Sequence, residues 1–180
     1  MADPKIINMP LIGFGTWRIP SEQIGICVNQ ALKDGFKHFD CADSHENEAE
    51  IGPFFSCLEY NNDIFITSKL SSDNHEPANV RNACLSTLNK LRQEFIHLYL
   101  INNPVRTEVG FFPLWLSKEW LQETWREMVK LKESGLCKHI GVSNFTAHKL
   151  NWLMDSELPP ENNQGNFLFF IIVELHPYLP

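Results

Sequence analysis

The sequence has no CxxC pair, no basic leader running into an apolar segment, no apolar run near membrane-span length and no GxGxxG loop. Each absence removes a class of protein. The five cysteines (Cys27, Cys41, Cys57, Cys84 and Cys137) are odd in number and widely spaced, which argues against a disulfide framework or a zinc finger and for free thiols, mostly buried. Met1-Ala-Asp-Pro-Lys5 leads directly into a short Ile-Ile-Asn, without the pattern of a secretory signal, so a cytoplasmic location is expected. The most apolar segment, residues 167–173, falls far short of the roughly 20 residues that cross a bilayer, and is expected to be a buried strand rather than a membrane anchor. Basic charge is also scarce. With 15 Lys+Arg against 22 Asp+Glu the net charge is −7, and the basic residues are spread along the chain, so nucleic acid is not an expected partner. The sequon at Asn144-Phe145-Thr146 has no meaning for a chain that stays in the cytosol.

What remains is a chain of 180 residues, 43% of them hydrophobic, enough for one domain with a substantial core. Short β-branched or aromatic runs alternate with longer amphipathic stretches, the pattern of repeated βα units around a parallel sheet. Strands are expected over 11–17, 38–43, 64–70, 95–102, 139–145 and 167–176, and helices over 22–33, 48–58, 78–91, 121–134 and 148–155. Ser21, Asn47 and Thr146 are candidate N-caps, and Gly35 and Gly135 stand where a left-handed C-terminal residue is expected. Pro20, Pro53 and Pro104 fit element ends, and residues 103–118 and 158–166 read as loops. Gly13-Phe-Gly15 ends the first strand, but Arg18 occupies the place of a third glycine, so a dinucleotide-binding phosphate loop is not expected. Each of these glycines reads as a tight turn or a close backbone approach.

The densest polar segment runs from His38 to Glu48, at the C-terminal end of the second strand, where barrels place their chemistry. Strand alternation puts His38, Asp40 and Ala42 on one face and Phe39, Cys41 and Asp43 on the other, so Asp40 can point inward. A buried carboxylate needs a partner, and Lys69 on the third strand can supply it; the simpler reading is an ion pair that joins two strands. A metal site would draw on Cys41, Asp43 and His45, but no further ligand pair follows at suitable spacing. His97 and His176 read as structural histidines, while Ser143 and Asn144 are short polar groups on the same rim, able to hydrogen-bond an amide.

Six segments then stop being anonymous: Met9-Pro-Leu-Ile-Gly-Phe-Gly-Thr-Trp17, Phe36-Lys-His-Phe-Asp-Cys-Ala42, Asn47-Glu-Ala-Glu-Ile-Gly52, Phe65-Ile-Thr-Ser-Lys-Leu70, Gly135-Leu-Cys-Lys-His-Ile-Gly-Val-Ser-Asn-Phe145 and Glu174-Leu-His-Pro-Tyr-Leu179. In this order they resemble the aldo-keto reductase family, and Ser72-Asp-Asn-His75 is most similar to its plant aldose-6-phosphate reductase branch. The resemblance implies a (β/α)8 TIM barrel, NADPH as cofactor, a small-molecule carbonyl substrate and one partial oxidoreductase domain over 1–180. It implies catalytic positions at Asp40, His45, Lys69 and Asn102, and cofactor contacts at Gly15, Thr16, Trp17, Asp40, Ser143 and Asn144.

Two of the four catalytic positions depart from the family. His45 stands where the resemblance places a tyrosine, and Asn102 where it places a histidine. A histidine next to a lysine should have its pKa depressed, making it a poor acid at neutral pH, while Asn102 could still donate an N–H to a carbonyl oxygen. Reduction is therefore expected to be weak or lost, with a catalytically dead binding protein as the alternative. The family glutamine that accompanies Ser143 and Asn144 reads as replaced by Ile172. The motifs cover about the first six of the family's eight strands, so the barrel is expected to be incomplete, with open edges that favour self-association.

Overall fold

The computed structural model describes residues 7–56, 64–106 and 114–165. Strands β1 (Phe14–Gly15), β2 (His38–Asp40), β3 (Phe65–Leu70) and β4 (Ile96–Ile101) alternate with helices α1 (Ser21–Lys33), α2 (Glu48–Phe55) and α3 (Pro77–Leu91). A two-stranded antiparallel hairpin follows, β5 (Val105–Arg106) with β6 (Leu114–Trp115), and then α4 (Lys118–Glu133), β7 (Cys137–Ser143), α5 (Ala147–Met154) and β8 (Asn163–Gln164). The main sheet runs β1-β2-β3-β4-β7-β8, parallel throughout, as an arc of an incomplete (β/α)8 barrel.

Alternation of side chains builds the layers. Phe39 and Ile66 face outward into one cluster with Ile24, Val28, Ile51 and Phe55 of α1 and α2. Tyr99, Ile101, Ile140 and Val142 face a second cluster with Val80, Leu88, Trp125 and Met128 of α3 and α4. Full burial of each such side chain contributes about 1.5–3 kcal/mol. Inside the arc, Phe65, Leu98 and Leu100 pack with Ile7 and Met9. His97 serves the backbone there, its Nδ1 accepting from Ile66 N at 3.2 Å, which bears out its structural reading.

Several local expectations change. The sheet's sixth strand is β8, inside the stretch read as a loop over 158–166; the strand expected at 167–176, with His176, lies outside the described residues. Two residues are too few for periodicity to reveal. Residues 103–118 likewise contain the hairpin and the first residue of α4 rather than loop alone. Asn47 begins α2 without capping it: its Nδ2 instead donates to Thr16 O at 3.0 Å and Ile19 O at 3.1 Å, tying the helix start to the β1 loop. Ser21 is the first residue of α1 and donates to Glu46 O at 3.3 Å. Thr146 does cap, accepting from Lys149 N at 3.4 Å, and Gly35 and Gly135 take the left-handed conformation with φ of 87° and 77°. Pro53 sits within α2 rather than at its edge.

Candidate functional site at the C-terminal ends of the strands

Asp40 ends β2 and pairs in register with Thr67, and Lys69 lies two residues further along the adjoining β3, so both project into the mouth of the arc. Lys69 Nζ donates to Asp40 Oδ1 at 2.6 Å and to Cys41 O at 3.1 Å. The lysine is 5% exposed, and burial at this level makes the pairing obligatory for both charges.

The turn after β2 winds into a 3-10 segment, Asp43–His45, which brings His45 over β1. Thr16 Oγ1, fully buried, lies 2.7 Å from His45 Nδ1 and 3.2 Å from Asp40 O. The His45 pKa is lowered to about 4, in the expected direction, with burial contributing more than the Lys69 charge and the Asp40 charge opposing both. Asn102, just past β4, donates from Nδ2 to Ser44 Oγ at 3.2 Å, and its own carbonyl accepts from Asn144 Nδ2 at 2.9 Å. Asn144 is left-handed, φ 61°, so its amide turns back over Ser143 and also reaches Ser143 Oγ at 3.1 Å. The arrangement thus brings Asp40, Lys69, His45, Asn102, Ser143 and Asn144 to one rim, together with Thr16.

Trp17 projects outward at 52% exposure, with the Arg18 guanidinium 4.2 Å from its ring centroid. Gly15 differs from expectation. A Cβ there would meet nothing within 4 Å, and its φ is not positive, so neither a tight turn nor backbone crowding explains it. Close approach belongs to Gly13, whose Cβ would fall 2.6 Å from His38 Nδ1.

Gln164 is the rim residue that sequence reasoning missed. From β8 its Nε2 donates to Asp40 Oδ2 at 3.0 Å, across the mouth, and its Oε1 is buried without a partner. This amide lies opposite Ser143 on the rim, while Ile172, where the sequence reading placed a replaced glutamine, lies outside the described residues. The signal available was the amide pair Asn163-Gln164 shortly after Pro159-Pro160.

The three ligands of the metal reading do not converge. Cys41 is buried among the helix-facing residues, and burial with the nearby Glu48 and Asp40 charges pushes its thiol pKa up. Asp43 pairs with Lys90 on α3 at 2.5 Å, and His45 turns to Thr16. Behind the rim, Glu48 of α2 is 2% exposed and accepts from Ser68 Oγ at 2.6 Å; burial, the largest effect, raises its pKa to about 7.

Residues 11–177 match the model of the Aldo/keto reductase family. The chain belongs to this family. An aldo/keto reductase of Synechocystis sp. is 39% identical over 185 residues, spanning 96% of this chain and 54% of that protein. The solved structure of the aldose reductase of Giardia lamblia is similar with a TM-score of 0.80 at 35% identity, over 88% of this chain and 58% of that one. A Bombyx mori aldo-keto reductase solved in complex with NADP has a TM-score of 0.79 at 29% identity, over 88% of this chain and 55% of that one. This aldo-keto reductase chain therefore spans little more than half the length of these relatives. Among the described residues no helix is long and apolar enough to cross a membrane.

Proposed function

We propose that this chain is an NADPH-dependent reductase of aldehydes, ketones or sugars, working in the cytoplasm, its activity weakened or lost through two replacements at the site. The observation that carries this reading is the buried Asp40–Lys69 pair beneath His45 and Asn102, on the rim where barrels perform chemistry. The rim also fits a nicotinamide carboxamide. Gln164 Oε1 is a buried acceptor without a partner, and the Ser143 hydroxyl, which accepts from Asn144, keeps its own proton to donate.

When bound, reduced nicotinamide supplies the hydride to a carbonyl carbon. The chain's own part is to hold the carbonyl oxygen and manage its proton. Asn102 Nδ2 has a second N–H beyond the one given to Ser44, and Lys69 a third beyond those given to Asp40 and Cys41. Either can stabilise negative charge developing on oxygen. His45 is almost wholly unprotonated at neutral pH, so proton delivery is the weak step.

Titrating purified chain with NADPH and, in parallel, NADH while following tryptophan fluorescence tests the reading. Saturable, NADPH-preferring quenching supports it; no quenching by a folded sample removes it. The low His45 pKa favours a second reading, a binding protein without turnover. Restoring both positions with His45→Tyr and Asn102→His separates the two, since recovered aldehyde reduction belongs only to the first. Self-association through β1 and β8, the outer strands of the sheet among the described residues, is expected on either reading, and sedimentation over a concentration series detects it.

A further inference from the structure

The strand that carries Gln164 is short. β8 has two residues, paired in parallel with β7 at Val142↔Asn163 and Ser143↔Gln164, and flanking bonds run from Val142 N to Asn162 O at 2.9 Å and from Asn144 N to Gln164 O at 2.8 Å. So short a ladder does not by itself fix a side chain that must reach across the mouth to Asp40.

One residue outside the rim compensates. The Glu161 carboxylate receives Lys132 Nζ of α4 at 2.6 Å, His139 Nδ1 of β7 at 2.9 Å and Ile140 N at 3.1 Å. Its Oε1 thereby takes the place of a strand carbonyl one step before β8 begins, and Glu161 N returns a bond to Ile140 O at 3.0 Å. Its pKa is lowered: burial opposes this, but the Lys132, His139 and Ile140 bonds outweigh it, so the carboxylate stays charged. Gly141 completes the seat. A Cβ there would stand 2.5 Å from Asn162 O, so only glycine lets the incoming strand lie this close.

We infer that Glu161 is a positioning residue: by clamping residues 161–164 to β7 and α4 it sets where Gln164 presents its amide to Asp40 and to a bound nicotinamide. The second half of that statement rests on the functional reading above, while the first does not.

Amide exchange by NMR, in chain without cofactor, tests the clamp. In Glu161→Ala the Val142 and Asn144 amides are expected to exchange at least tenfold faster, with Leu98 and Leu100 in the neighbouring β4 unchanged. The Gln164 side-chain amide resonances should lose the displacement caused by the Asp40 carboxylate. Glu161→Gln, which keeps an acceptor for Ile140 N, should restore most of both signals; a merely structural defect would not be rescued in this selective way. Unchanged exchange and an unchanged Gln164 signal in Glu161→Ala would overturn the inference, as would a loss spread evenly over β4. NADPH titration of the same variants gives the second arm. Weaker binding in Glu161→Ala, with no further loss on adding Gln164→Ala, supports the route through Gln164, and additive losses overturn it. If the unaltered chain binds no NADPH, the functional reading fails while the exchange data still decide the clamp.

Discussion

The hydroxyl of Thr16 sits 2.7 Å from His45 Nδ1, so the imidazole is held on a buried hydrogen bond as well as near the Lys69 charge. With its pKa near 4, the protonated fraction of His45 grows about tenfold for each pH unit between 7 and 5. Aldehyde reduction that uses His45 as the acid should therefore show kcat/KM rising about tenfold per unit over that range. A flat profile would exclude His45 as proton donor and leave Asn102 and Lys69 to stabilise the oxygen.

His75 couples acid to stability. It is fully buried and its pKa is lowered to about 4, chiefly by burial, with the Leu70 carbonyl and the Asp73 charge opposing. The unfolded chain takes up this proton near pH 6.5 and the folded chain only near 4, so stability is lost as pH falls between those values. The contribution is on the order of 3 kcal/mol. Urea unfolding at pH 7 and pH 5 should show His75→Gln losing markedly less stability on acidification than the unaltered chain.

Glu48 has the opposite sign. Its folded pKa near 7 exceeds the ordinary 4.5, so it favours the folded state at low pH, and that advantage disappears as pH rises through 7. Glu48→Gln keeps an acceptor for Ser68 and removes the buried charge, and should stabilise the chain at pH 8 by about 1–3 kcal/mol but scarcely at pH 5. Equal effects at the two values would show that Glu48 is not the titrating group.

The Asp40–Lys69 pair predicts a non-additive cycle. Asp40→Asn alone leaves a buried ammonium without its counter-charge and should cost about 3–5 kcal/mol, whereas Asp40→Asn with Lys69→Met should cost much less. Denaturant midpoints of the single and double variants measure this, and additive losses would contradict it.

Glycines divide sharply. A Cβ at Gly52 would fall within 2.1 Å of Lys90 O on α3, while at Gly15 it would enter open space. Gly52→Ala should destabilise by at least about 2 kcal/mol and Gly15→Ala by less than about 0.5 kcal/mol, readable from thermal unfolding.

Legibility in the sequence followed the length of each element. Strands β3, β4 and β7 have six or seven residues, and helices α3 and α4 fifteen and sixteen, long enough for periodicity and flanking glycine to mark them. The inward direction of Asp40 followed from period-two alternation, and its bond to Lys69 from the need of a buried carboxylate for a counter-charge on the neighbouring strand. What escaped was set by tertiary contact. Asn47 has the composition of a cap, but bonds to Thr16 O and Ile19 O claim its amide, and Gln164 sits on a strand defined only by its partner β7.

Among the described residues the outward-facing core falls into two clusters. One cluster joins α1 and α2 to β2 and β3, the other joins α3, α4 and α5 to β4 and β7, and they meet along β3 and the end of α3. Such a seam lets one half open while the other stays closed. Native-state hydrogen exchange should then resolve two cooperative units, and because Asp40 lies on β2 of one half and Ser143 on β7 of the other, the mouth should assemble only when both are shut.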